Sequence, residues 1–389
     1  MRRPTRVLMT TDAVGGVWTY ALDLGRGLAA RGIETVLAVM GPAPSPSQRA
    51  AAAALGLTLE HAPLRLEWMN DPWRDVETAG DWLLALEQRH GCDFVHLNGY
   101  VHARCPFRSP KLVVAHSCVL SWWEAVLREP APAHWARYRA AVAEGLAAAA
   151  LVVSPSHWMS GAIARHYGAA GRSIVIPNSR PPGVFAAGGK QPYVLGAGRV
   201  WDEAKNLKAL ALAGRSLPWP VKIAGPIAPP RADGEAAASN LDAEAFEGTQ
   251  LLGAVPAGEM AELYAHAPIF AAPALYEPFG LTVLEAALSG CALVLGDIPS
   301  LRELWEDAAV FVPPRDAAAL GACLHDLVRH PELRHEMGLE ARARAARFSH
   351  DETIDAYIHA YARAYVMAGI DAPSPTRLGA PPEERGCTS

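Results

Sequence analysis

This sequence predicts two α/β domains in tandem, each a parallel sheet wrapped by helices. Three observations carry the expectation. Short apolar runs alternate with longer Ala/Leu/Arg stretches of helical period, the pattern of strands joined by crossover helices. The alternation breaks and restarts around the Pro/Gly-rich residues 177–189. A chain of 389 residues, 51% hydrophobic and 19% charged, is long and apolar enough to build two cores.

In the first half the strand candidates are Arg6–Thr10, Glu34–Val39, Asp93–Leu97, Leu112–His116, Leu151–Ser154 and Ile174–Ile176. Helical period runs over Val17–Arg31 and Asp81–His90 between them. The second series is Tyr193–Gly196, Val221–Ala224, Gln250–Leu252, Ile269–Ala272, Ala292–Leu295 and Val310–Val312. These place a first domain at 1–180, a linker at 181–191 and a second domain at 192–350. Residues 351–367 read as a helix with a partly aromatic face (Tyr357, Tyr361, Tyr365) that packs back on the first domain. The Pro/Gly-rich stretch Gly225–Gly234 reads as a surface loop, and residues 371–389, with four prolines and no apolar period, as a disordered tail.

Charge is split between the halves. Residues 1–185 carry 18 Lys+Arg against 14 Asp+Glu, and the remainder 17 against 26, within a net charge of −5. That balance points away from nucleic acid as a partner. The six cysteines form no Cys-x-x-Cys pair, so they read as reduced thiols rather than a zinc site or disulfide framework. The apolar stretch Val7–Met9 is too short for a signal-peptide core, and Leu146–Val153 is about half of the ~18 residues a membrane span needs. The expected location is cytoplasmic, and the mildly basic first half is compatible with peripheral contact at the inner membrane face.

In open parallel sheets ligands bind beyond the carboxyl ends of the strands, so chemistry is sought there. The segment Glu277-Pro278-Phe279-Gly280-Leu281-Thr282-Val283-Leu284-Glu285 follows a strand candidate and turns into a helix stopped by Gly290. The free N–H groups at Gly280–Thr282 and the positive end of the helix dipole suit a phosphate, and Gly280 allows close approach. Glu285 falls on the otherwise apolar face, about 7.5 Å into the helix, with Glu277 on the preceding loop. Two carboxylates accepting from hydroxyls on either side of a diphosphate describe a nucleotide-sugar site. The bland alternative is a buried structural Glu285 capping a neighbouring helix and a solvated Glu277.

Gly198-Arg199 ends the first strand of the second series, and Lys205 follows, one of only five lysines. Arg199 offers a bidentate charge and Lys205 a point charge for a diphosphate leaving group. Gly196-x-Gly198 is not a dinucleotide fingerprint, because Trp201 stands where the third glycine belongs. The pair Gly15-Gly16 after the first strand permits close approach of another molecule or simply makes a tight turn, and no Gly-Lys-Ser/Thr follows as in a P-loop. His116 ends a strand and points to the cleft, the alternative for a lone histidine being a structural role, and His96 reads as structural. Eight of the eleven tryptophans lie in the first half; Trp68–Trp73 and the Trp122-Trp123 pair are candidates for holding an acceptor.

With these residues in order, the chain resembles the retaining glycosyltransferases of family 4. The resemblance rests on Glu277–Glu285 as a Glu-x7-Glu motif, the Gly15-Gly16 loop, Asp93–His96, His116, Ser154-Pro155-Ser156, Ile176-Pro177-Asn178, Gly198-Arg199 with Lys205-Asn206, and Phe348-Ser349. It implies the GT-B fold, two facing Rossmann-like domains with an interdomain cleft. It further implies that Glu277 contacts the donor sugar and Glu285 the ribose. Arg199, Lys205 and the backbone of Phe279, Gly280, Leu281 and Thr282 neutralise the diphosphate, with no metal or other cofactor. His116 lies near the donor sugar and Gly16 at the donor–acceptor junction.

The chain departs from the family pattern at Asp297-Ile298-Pro299-Ser300, at Ser117 after His116, and in the loop after Gly225. The reading is therefore a hexosyltransferase using a nucleotide-diphosphosugar, with a glycan, lipid-linked or small-molecule acceptor. A GT-B nucleotide-sugar epimerase and a catalytically silent nucleotide-sugar-binding protein are the alternatives.

Overall fold

In the computed structural model, which describes residues 2–168, 172–229 and 242–370, the strands form two wholly parallel sheets. The first contains β1 (Arg6–Asp12), β2 (Glu34–Met40), β3 (Thr58–Ala62), β4 (Phe94–Leu97), β5 (Lys111–Val114), β6 (Leu151–Ser154) and β7 (Ser173–Val175), in the order β3-β2-β1-β4-β5-β6-β7. The second contains β8 (Val194–Ala197), β9 (Val221–Ala224), β10 (Gln250–Gly253), β11 (Ile269–Ala272), β12 (Ala292–Gly296) and β13 (Val310–Val312), in the order β10-β9-β8-β11-β12-β13. Strands covered by helices on both faces must be apolar throughout. Val7, Leu8 and Met9 of β1, and Leu293, Val294 and Leu295 of β12, are fully buried accordingly.

Several boundaries differ from the sequence expectation. β5 ends at Val114, so His116 lies two residues beyond the strand. β3 has no counterpart among the apolar runs, because Thr58-Leu59-Glu60-His61-Ala62 is a half-buried edge strand. The helix expected from Asp81 starts at Trp73, its first turns being largely polar. Residues 371–389, read from sequence as a tail, and most of the loop after Gly225 lie outside the described residues.

The last helix, His350–Met367, crosses from the second unit to the first. Ile354, Tyr357, Tyr361 and Tyr365 are buried in the core that contains β1 and Phe94. Phe94 and Tyr361 pack with ring centroids 4.5 Å apart, and the Tyr365 hydroxyl donates to the Asp93 carbonyl at 2.6 Å.

The two units also touch directly. Tyr276 packs with Trp122, Val126 and Trp158, and its Oη accepts from the Cys118 amide at 3.1 Å. Ser156 Oγ donates to the Pro278 carbonyl at 2.8 Å. The Glu303 carboxylate accepts from the amides of His157 and Trp158, each at 2.7 Å, at the positive end of the His157–Tyr167 helix. No helix of the described residues is long and apolar enough to cross a membrane.

Candidate active site

Each sheet reverses direction at one point, between β1 and β4 in the first and between β8 and β11 in the second. At such a switch the connections leave on opposite faces and a crevice opens at the strand ends. The loops after β1, β8 and β11 carry Gly15-Gly16, Gly198 to Lys205, and Glu277 to Gly280. A Cβ built on Gly15 would stand 3.3 Å from Arg199 Nη1, and one built on Gly16 would stand 3.6 Å from Leu281 Cδ1. The two crevices therefore face each other across a gap that only small residues allow.

On the second-domain wall Lys205 Nζ donates to Glu277 Oε2 at 2.5 Å. Lys205 closes a single 3₁₀ turn, Glu203–Lys205, that Asp202 caps by accepting from the Ala204 amide at 3.0 Å. Arg199 is held against the same Asp202, with Nη2 at 2.5 Å and Nε at 3.1 Å from its Oδ2. Burial alone would raise Asp202, but Arg199 and Lys205 beside it hold it below its ordinary value. Two cations are thus fixed about one aspartate, one of them reaching across to Glu277.

Gly280 caps the Leu281–Leu288 helix with φ +89°, a conformation that favours glycine. The first-turn amides of that helix have no intrahelical acceptor, so Leu281 and Thr282 present N–H groups beside Glu277. Phe279, just before the cap, is buried against Phe348 with ring centroids 5.4 Å apart, which anchors the turn. The loop after β8 is pressed from behind: a Cβ on Gly225 would fall 1.8 Å from the Gly198 carbonyl oxygen. Close backbone contact there fixes where Arg199 emerges.

Glu285 is placed differently from its partner. Its side chain is 11% exposed, and its Oε1 lies 3.1 Å from Arg180 Nε. Arg180 in turn makes an ion pair with Asp23 of the Gly16–Ala29 helix and stacks over Phe185 at 5.1 Å. Burial raises Glu285 above its ordinary value against the pull of Arg180, and burial likewise pushes Asp23 up to about 6. Glu285 is not a helix cap; through Oε1 it is one end of a buried Asp23–Arg180–Glu285 bridge between the two units.

His116 belongs to the first-domain wall. Its Nε2 lies 2.8 Å from Asn98 Oδ1, and its ring meets Tyr20 edge-on at 4.6 Å. The Asn98 amide group donates to the Thr10 carbonyl at 2.7 Å, so Oδ1 is the acceptor and His116 Nε2 carries the proton. Burial pushes His116 down to about 3, leaving it neutral. His96 is wholly buried between Tyr361 Oη (2.9 Å) and Tyr20 Oη (3.2 Å), a structural role.

Gly16, His116 and Arg199 line a cavity of about 460 Å³ together with Asp12, Asn98 and a set of aromatic side chains. Lys205, Glu277, Phe279, Gly280, Leu281, Thr282 and Glu285 do not line it. Sequence reasoning passed over Asp12, Asn98, Arg180 and Tyr276. Asp12 ends β1 and Asn98 follows β4, the strand ends at the switch point, and that position was their only signal. Among the described residues no group of three or more His, Cys, Asp or Glu is arranged to hold a metal ion.

Two family models divide the chain as the two sheets do. Glycosyltransferase Family 4 matches residues 14–181, and Glycosyl transferases group 1 matches residues 183–344. The chain belongs to glycosyltransferase family 4. O-antigen chain mannosyltransferase B of Escherichia coli is 34% identical over 110 residues, 28% of this chain and 29% of the relative. The curated relatives first matched are thus spanned over less than a third of their length.

Solved structures match over nearly the whole chain. Sucrose-phosphate synthase from Thermosynechococcus elongatus superposes with a TM-score of 0.75 at 19% identity, over 93% of this chain and 99% of that one. HepE from Anabaena, solved with UDP and glucose, gives 0.69 at 18%, over 92% and 99%. The fold of this family-4 chain is GT-B, as its order of strands and facing crevices require.

Proposed function

We propose that the chain is a retaining hexosyltransferase that moves a hexose from a nucleotide-diphosphosugar to an acceptor hydroxyl. The observation that carries the reading is the Lys205–Glu277 pair at 2.5 Å, seated beside the Gly280 helix start, with Arg199 and Leu281 set against Gly15 and Gly16. Arg199, Lys205 and the Leu281–Thr282 amides supply fixed positive charge where a diphosphate leaves. Glu277, oriented by Lys205, accepts from hydroxyls of the transferred sugar. Glu285 accepts from the ribose through the carboxylate oxygen that Arg180 does not hold.

In the reaction the bond from the sugar's anomeric carbon to the diphosphate oxygen breaks, and a bond to the acceptor oxygen forms on the same face. The acceptor's proton passes to the departing phosphate oxygen. Neutral His116 and the Gly16 backbone shape the junction between donor and acceptor, and no metal or other cofactor is assigned a role. The relative that was solved with UDP and glucose supports a nucleotide-linked hexose as donor.

A thermal-shift panel of UDP-, GDP-, ADP- and dTDP-linked hexoses tests the donor. A ligand at 100 times its dissociation constant stabilises by about 2.7 kcal/mol. A selective shift with product appearing only when an acceptor is added supports transfer. Conversion of the donor to another nucleotide sugar without acceptor would replace it by an epimerase, and binding without turnover by a silent binding protein.

A further inference from the structure

The 460 Å³ cavity lies on the first-domain side of the cleft, reaches Arg199 at the donor side, and has the size of a small-molecule site. Its walls bring together Trp68, Trp122, Trp123, Trp135, Tyr138 and, from the second domain, Trp201. These six are scattered from residue 68 to residue 201, so only the fold assembles them. Trp122 and Trp123 meet edge to face at 6.0 Å, Trp135 and Tyr138 at 5.5 Å, and Arg199 stacks over Trp201 at 5.4 Å. One sugar ring needs one or two aromatic faces; a lining with five indoles suits a flat, largely apolar body.

The polar side chains lining the cavity offer an anion no cation of its own. Among the described residues Arg199 is the cavity's one permanent cation, and in the proposed reaction the donor diphosphate takes it. His102 and His116 are neutral, burial having pushed them down to about 4 and about 3. Against these stand two acceptors, Asp12 and Glu67, whose carboxyls burial raises above their ordinary values. Asp12 accepts from the Val14 amide at 2.7 Å, and the Glu67 carboxylate accepts from the amides of Tyr100 and Val101 at 3.0 Å each. A phosphate or carboxylate placed here would meet acidic groups and lose its water with no cation to replace it.

We infer that this cavity is the acceptor site and that it takes an uncharged, hydroxyl-bearing molecule with an aromatic ring, stacked among the tryptophans with its reacting hydroxyl toward Arg199. The inference rests on the transferase reading, since it is the donor side that makes this cavity an acceptor site.

Titration calorimetry of the full-length protein with phenyl β-D-glucoside, glucose, glucose 6-phosphate and phenyl phosphate separates ring from charge. Phenyl β-D-glucoside is expected to bind at least about tenfold more tightly than glucose, from the added stacking, and both neutral compounds more tightly than the phosphorylated ones. Trp123→Ala should weaken phenyl β-D-glucoside about tenfold and Trp123→Phe should recover most of that loss. Tightest binding by a phosphorylated compound, equal binding of all four, or no binding of phenyl β-D-glucoside at millimolar concentration overturns the inference.

Titration of nucleotide sugars into the same sample keeps the two readings apart. Aryl preference without nucleotide-sugar binding overturns the transferase reading and the acceptor role, but leaves an aryl-binding cavity. Nucleotide-sugar binding without aryl preference leaves the transferase reading and overturns this inference.

Discussion

Arg180 and Glu285 form an ion pair 3.1 Å across, buried where residue 180 meets the Leu281–Leu288 helix. Arg180 also holds Asp23 of the first-domain helix, so one guanidinium neutralises carboxylates from both units. Such a bridge adds little net stability when whole, but it is costly to break, because removing the cation strands two buried anions. Arg180→Met is expected to destabilise the protein by about 3–5 kcal/mol, measured by chemical denaturation. A loss under about 1 kcal/mol would mean the bridge opens to water at no cost.

The same bridge has a pH signature. Asp23 sits at about 6 in the folded protein against an ordinary 3.8, because burial outweighs Arg180. The folded state therefore holds this proton more tightly, and the group favours folding at low pH and loses that contribution as pH rises through about 6. Without Arg180 the stranded carboxylates take up protons more readily still. The Arg180→Met penalty is expected to be smaller at pH 5 than at pH 8; equal penalties at the two would rule out stranded charge as its source.

Lys205→Ala should lower kcat/KM for the donor by about 100-fold or more, the scale set by losing one preorganised charge contact to a leaving group. The far-ultraviolet spectrum and cooperative melting should survive, since the pair is only partly enclosed, with Lys205 22% and Glu277 14% exposed. Lys205→Arg is expected to recover part of the loss. Full activity in Lys205→Ala would remove the pair from the mechanism.

The two adjacent glycines should respond differently. Gly15 has φ +119° and its added Cβ would press on Arg199, so Gly15→Ala is expected to cost about 1–3 kcal/mol and to lower turnover. Gly16 opens the helix in ordinary geometry, and its Cβ would make only van der Waals contact with Leu281. Gly16→Ala should therefore melt like the parent while losing activity, through narrowing of the donor–acceptor junction. Melting curves and initial rates on the two variants test this.

His116 lies at about 3, so it carries no charge from pH 5 to pH 8. The kcat/KM profile should show no limb from this ring, and His116→Gln should change its height but not its shape. A limb near 6.5 that vanishes in the variant would show that the ring titrates.

Much of the fold was legible because parallel strands covered on both faces must be unbroken apolar runs. Ile269–Ala272, an inner strand of the second sheet, matches its expected span for that reason. β3 was not legible, since an edge strand pairs on one side and tolerates Glu60 and His61. In the candidate site, Glu277 to Thr282 and Arg199 to Lys205 could be picked out from sequence because each lies close behind one strand, and the fold brings Lys205 to Glu277.

What the amino-acid order determined by itself was the local stock: two series of strands, a glycine pair, a helix start beside a glutamate, and a loop with an arginine and a lysine. What tertiary structure decided was who meets whom. Glu285 was legible as an inward carboxylate, but its partnership with Arg180 and Asp23 joins residues 23, 180 and 285. Five tryptophans from 68 to 201 become one cavity only when the sheets face each other. Periodicity reports the face a residue turns inward, since burial of apolar area is nearly non-directional. An ion pair or an aromatic wall depends on distance and direction between residues far apart in the chain, and only the folded backbone sets those.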